Sequence, residues 1–129
     1  MKGSDRCGQK VAYVADMKNG GLGIRFSVRV AGEVIPAFAV RYDNVVRAFK
    51  NRCGHIAINL DMQPGNFFTE EGDFLVCSTH GALYQPDSGK CTGGPCFGVG
   101  LEALEVVERS GYLYLLGDEV ELLDQAAQC

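Results

Sequence analysis

Short stretches of alternating apolar and polar residues recur along the chain, separated by small groups of turn formers. Residues 24–30, Ile-Arg-Phe-Ser-Val-Arg-Val, alternate strictly, which is the period of a strand with one buried face. Residues 10–16 predict a short first strand and residues 19–23 a glycine-rich loop. The apolar runs 37–42 and 45–49 flank Asp43 and Asn44, two residues tolerant of left-handed backbone at the spacing of a tight hairpin. Runs 66–69 and 74–77 flank Glu70–Glu71–Gly72–Asp73 and predict a second hairpin. Runs 104–108 and 112–116 flank Arg109–Ser110–Gly111 and predict a third. A helix over 101–108 is opposed by the β-branched pair Val106–Val107 and the Ser110–Gly111 turn that follows. Residues 85–90 and 91–96 are rich in turn formers, and residues 118–129 are expected to form a helical or frayed tail.

Composition supports this reading. The chain has 129 residues, enough for one domain with a real core, and 17 glycines, seven phenylalanines, five tyrosines and no tryptophan favour short segments joined by tight turns. An all-β fold is the expectation. No run of about 18 apolar residues occurs, which argues against a transmembrane helix, and the N-terminal residues lack the apolar core of a secretory signal. The expected location is therefore the cytoplasm, where structural disulfides are unusual and six cysteines point to metal or redox chemistry.

The net charge of −4 is uneven: residues 101–129 carry seven acids against Arg109 alone, leaving the rest slightly basic. Such a balance argues against nucleic-acid binding, which needs a cationic face for the phosphates.

The chemistry concentrates in two mixed pairs, Cys53-x-His55 and Cys77-x-x-His80, which use both histidines of the chain. Each pair follows a predicted strand in a loop containing glycine, so two hairpin ends facing one another would close four ligands around one centre. Thiolate with imidazole suits zinc, copper or iron–sulfur chemistry and not magnesium or calcium. Zinc sites commonly draw two cysteines from one knuckle. Here each loop offers one cysteine and one histidine, a symmetry that suits a binuclear cluster with two cysteines on one iron and two histidines on the other.

These loops, Cys53-Gly54-His55 and Cys77-Ser78-Thr79-His80-Gly81, followed by Gly94-Pro95, resemble the Rieske [2Fe–2S] family. The resemblance is close from about residue 40 to 106 and looser over the whole chain. It implies three antiparallel sheets with the cluster held by two hairpin loops. It implies one [2Fe–2S] cluster per chain, Cys53 and Cys77 on one iron, His55 and His80 on the other. It also implies a single Rieske domain over 1–129: a cluster-binding part at about 50–98, a base at about 10–49 and 99–117, and a tail at 118–129.

The chain departs from the cytochrome-complex members of that family. Those carry an extra cysteine in each loop, forming a bridge; this chain has Ile56-Ala57 and Ser78-Thr79 at the corresponding places. The absence places it with Rieske ferredoxins and oxygenase-type domains. High-potential members also carry a serine after His-Gly and a tyrosine two residues later, both donating to sulfur. Here Gly81 is followed by Ala82, which cannot donate, and by Tyr84, which can. Fewer such bonds stabilise the reduced cluster less and lower its potential. Cys91 and Cys96, flanking the turn that should cover the cluster, are expected to be free thiols, with a disulfide between them or a second metal site as the alternatives.

With both histidines committed, none remains for a mononuclear catalytic iron. The resemblance then implies a non-enzymatic one-electron carrier between a reductase and an oxygenase or similar acceptor. It would have no small-molecule substrate of its own, no nucleic acid and no membrane. A small subunit of a larger oxidoreductase, such as a nitrite reductase, is the alternative; a zinc-binding or redox-sensing module is a third.

Overall fold

The computed structural model describes residues 9–51, 66–77, 81–93, 100–116 and 120–122, and within these all regular structure is β. Eleven strands run in chain order: β1 (Gln9–Tyr13), β2 (Ile24–Val30), β3 (Glu33–Tyr42), β4 (Val45–Lys50), β5 (Leu75–Val76), β6 (Leu83–Tyr84), β7 (Cys91–Gly93), β8 (Ala103–Leu104), β9 (Val106–Arg109), β10 (Tyr112–Leu115) and β11 (Val120–Leu122). They form three sheets, ordered β1-β10-β9, β11-β2-β3-β4-β8 and β5-β6-β7, in which every strand pair is antiparallel. The expected fold class holds.

Three hairpins close through two-residue turns whose residues are all left-handed: Ala31 and Gly32 (φ 52° and 82°), Asp43 and Asn44 (54° and 66°), Ser110 and Gly111 (53° and 86°). Two left-handed residues give a turn whose twist matches that of the flanking strands. The Asp43–Asn44 and Ser110–Gly111 turns were legible in the sequence. The Ala31–Gly32 turn was not, because alanine is a poor signal for left-handed backbone.

The central sheet has a core on each face. Along β3, Ile35, Ala37 and Ala39 enter one apolar cluster, with Val28, Val46, Ala48, Leu113 and Leu115, while Phe38 and Val40 enter another, with Phe49, Phe67, Leu75, Cys77, Tyr84 and Leu101. Strand periodicity explains this division, since successive side chains point to opposite faces. The small Ala37, Ala39 and Ala48 let the sheet β1-β10-β9 approach on the first side. On the second, Phe38 stacks on Phe67 with ring centroids 4.0 Å apart.

Two expectations are revised. The run 104–108 is broken at Glu105: β8 pairs with β4, whereas β9 pairs with β10, so the chain changes sheet there. Residues 120–122, expected to be helical or frayed, form β11, antiparallel to β2 with Val120 opposite Val30. Pairing along the free edge of β2 supplies a ladder that local sequence does not announce.

Candidate metal centre

Of the four ligands expected from sequence, Cys77 lies among the described residues; Cys53, His55 and His80 lie outside them, as do Gly94, Pro95 and Cys96. Cys77 follows β5 directly, is fully buried, and is not part of a disulfide. Backbone hydrogen bonds close the loop it begins. The Cys77 amide donates to the Ala82 carbonyl at 2.9 Å, and the Gly81 amide donates to the Cys77 carbonyl at 2.7 Å. Gly81 takes φ +77°, which an L side chain rarely adopts, and that reversal turns the chain back into β6. Backbone hydrogen bonds thus hold both ends of the 77–82 loop.

Tyr84 and Ala82 are fully buried in the same core as Cys77. Tyr84 sits on β6 opposite Leu75 of β5 and Cys91 of β7. A buried phenol needs a hydrogen-bond partner. The alanine methyl supplies no hydrogen-bond donor.

The root of the first loop is held from two sides. The Asn51 amide donates to the Pro36 carbonyl at 2.8 Å, and the Lys50 amide donates to the Glu102 carbonyl at 2.8 Å. Asn51 is 1% exposed, the one buried polar residue among those described. Sequence reading passed over it. The available signal was parity: β4 turns Phe49 toward the Cys77 core, and Asn51 continues that alternation with a polar side chain. The third loop returns through Gly100 and Leu101, whose amide donates to the Gly89 carbonyl at 2.7 Å. A Cβ at Gly100 would lie 2.6 Å from that same oxygen, so only glycine fits there.

Cys91 is disulfide-bonded, which corrects the expectation of free thiols; its partner lies outside the described residues. Compartment sets one redox poise for every thiol of a chain. Whether a given pair closes depends on local geometry, and the β6–β7 ladder fixes Cys91 in place.

These residues fit an iron–sulfur centre: a soft sulfur side chain at the end of β5, in a buried core that also holds Phe38, Phe49, Phe67 and the Tyr84 phenol. No helix among the described residues is long and apolar enough to cross a membrane.

Comparison with known proteins agrees. Residues 7–107 match the family described as the Rieske [2Fe-2S] domain. No curated protein matches the chain. Among solved structures, the ferredoxin of carbazole 1,9a-dioxygenase from Nocardioides aromaticivorans IC177 is 25% identical, with a TM-score of 0.62 over 84% of this chain and 96% of that one. The ferredoxin of Sphingomonas yanoikuyae B1 is 18% identical, with a TM-score of 0.65 over 86% and 99%. The terminal oxygenase of carbazole 1,9a-dioxygenase from Novosphingobium sp. KA1 is 22% identical, with a TM-score of 0.63 over 89% of this chain but 32% of that one. The last two, below 25% identity, bear on the fold alone. Fold and sequence match converge: the chain belongs to the Rieske [2Fe–2S] domain family, and its cofactor is one [2Fe–2S] cluster.

Proposed function

We infer that the protein is a one-electron carrier, itself no enzyme, that passes electrons from a reductase to an oxygenase or a similar acceptor. The observation that carries this reading is the similarity, over 84% of this chain and 96% of the other, to a ferredoxin of a dioxygenase system. A related structure at 25% identity captures an oxygenase together with its ferredoxin. The cluster supplies reversible uptake of one electron; the chain supplies its ligands, its dry surroundings and its potential.

Cys53 and Cys77 are assigned to one iron and His55 and His80 to the other. The domain is taken as 1–129, with the cluster-binding part at about 50–98 on a base of about 10–49 and 99–117. What supports a separate cluster-binding part is the sheet β5-β6-β7, which pairs with no strand of the other two sheets. Gly81 lets the second loop reverse, and the loop at 94–96 would cover the cluster. The Tyr84 hydroxyl is assigned as donor to a cysteine sulfur of the cluster. With Ala82 contributing nothing, the midpoint falls in the lower half of the roughly −150 to +300 mV that Rieske centres span. A cytoplasmic setting suits such a carrier, and the Cys91 disulfide is the feature that opposes it.

The test is a visible and EPR spectrum of purified protein, with iron and acid-labile sulfide assays. Equal amounts of iron and sulfide, and a rhombic EPR signal appearing on reduction, are expected. A colourless protein containing zinc would overturn the reading.

A further inference from the structure

The sheet β1-β10-β9 turns its inner face to the base core through Leu113 and Leu115, both fully buried. Register fixes what it shows outside. Tyr112 and Tyr114 alternate with those leucines; Tyr13 stands opposite Tyr112, Lys10 opposite Tyr114, and on the other side Arg109 and Val107 oppose the same two rings. A bulge at Val11 restores this parity, since Lys10 and Ala12 pair with successive residues of β10.

On this face each cation reaches diagonally across the sheet. Lys10 Nζ lies 4.5 Å above the Tyr112 ring, and the Arg109 guanidinium lies 4.7 Å above Tyr114. Tyr13 meets Tyr112 edge to face at 5.1 Å. Tyr13 is 55% exposed and Tyr112 36%. No outward position of the three strands carries a carboxylate; Glu108 points inward, held by Arg41. Two cations and three tyrosines thus share one face of a chain whose net charge is −4.

We propose that this face is a docking surface for a carboxylate-rich protein partner. Tyrosine and arginine are the side chains that dominate protein interfaces. Here cation–π and edge-to-face contacts already order them, so little conformational freedom remains to be lost on binding. Charge complementarity selects an acidic partner. Cys77 belongs to the core beyond the central sheet, so two sheet layers, roughly 10 Å apart, separate it from the tyrosines. A partner seated here leaves the cluster end free, and the carrier can be retained in an assembly while it exchanges electrons. This role is additional to electron transfer.

The test titrates isotope-labelled, cluster-loaded protein with a short poly-L-glutamate peptide at low salt and follows the amide NMR signals. Shifts confined to β1, β9 and β10 are expected, together with weakening by at least about tenfold in Lys10→Glu/Arg109→Glu and loss at high salt. Tyr112→Ser, which keeps both charges, is expected to weaken binding severalfold. Thermal melts and the visible spectrum of each variant separate loss of this surface from loss of fold or cluster. Shifts centred on residues 81–84, no shifts at low salt, charge-reversed binding equal to wild type, or tighter binding of a short oligonucleotide would each overturn the proposal.

Discussion

Arg41 and Glu108 join the central sheet to the sheet that carries the tyrosines. The guanidinium donates to both carboxylate oxygens, at 3.2 and 3.0 Å, and to the carbonyls of Val14 (2.7 Å), Met17 (2.8 Å) and Asn44 (3.3 Å). All five of its N–H groups are therefore used. The two side chains are 13% and 28% exposed. Replacing Arg41 by Met strands the Glu108 carboxylate and the Met17 carbonyl in a part-buried seam, and a loss of about 3 kcal/mol in urea unfolding is expected. Arg41→Lys keeps the charge but not the planar fork, and is expected to recover less than half of that loss.

Cys77 is the described ligand candidate, so its removal tests the centre directly. Cys77→Ser keeps size and a hydrogen-bonding group but not soft thiolate chemistry. Purified variant protein is expected to contain less than about a tenth of wild-type iron while retaining a β-type circular dichroism spectrum. A full iron content in this variant would remove Cys77 from the ligand set.

Tyr84→Phe deletes one hydroxyl and leaves the ring in its buried place between Leu75 and Cys91. A lost hydrogen bond to a charged group is worth roughly 1.5 kcal/mol or more, which for one electron is on the order of 60 mV. Protein-film voltammetry is expected to show the midpoint lowered by that order. An unchanged midpoint would reduce Tyr84 to core packing.

Asn51 is buried at the root of the first loop, where a polar side chain persists only if its hydrogen bonds are made. Asn51→Leu fills the same volume without them. Chelator-driven bleaching is expected to be about tenfold faster than in wild type, while the base remains folded by near-ultraviolet dichroism. Wild-type bleaching kinetics would mean that Asn51 has no part in holding the loop.

Cys91 is bonded to a cysteine outside the described residues. With Cys53 assigned to iron, Cys96, five residues on, is the expected partner, identified by mass spectrometry of the unreduced digest. A bridge closing so short a loop contributes about 2 kcal/mol, which Cys91→Ser is expected to remove. Mapping to Cys7 or Cys129 would relocate the bridge.

What the sequence determined by itself was local or compositional. Strict alternation over 24–30 appears residue for residue as β2, and Asp43–Asn44 forms the turn its backbone tolerance implies. The paired Cys/His loops, two short motifs with narrow chemistry, were enough to indicate the family. Tertiary structure decided whatever depends on pairing distant segments. The ladder of β11 on β2, the change of sheet at Glu105 and the bond at Cys91 each need a partner that local pattern does not reveal. Asn51 became notable only when burial around it was known, and Lys10 met Tyr112 only because a bulge at Val11 set the register. Side-chain period announces which face a residue takes; which surface covers that face is settled by packing across the sheets.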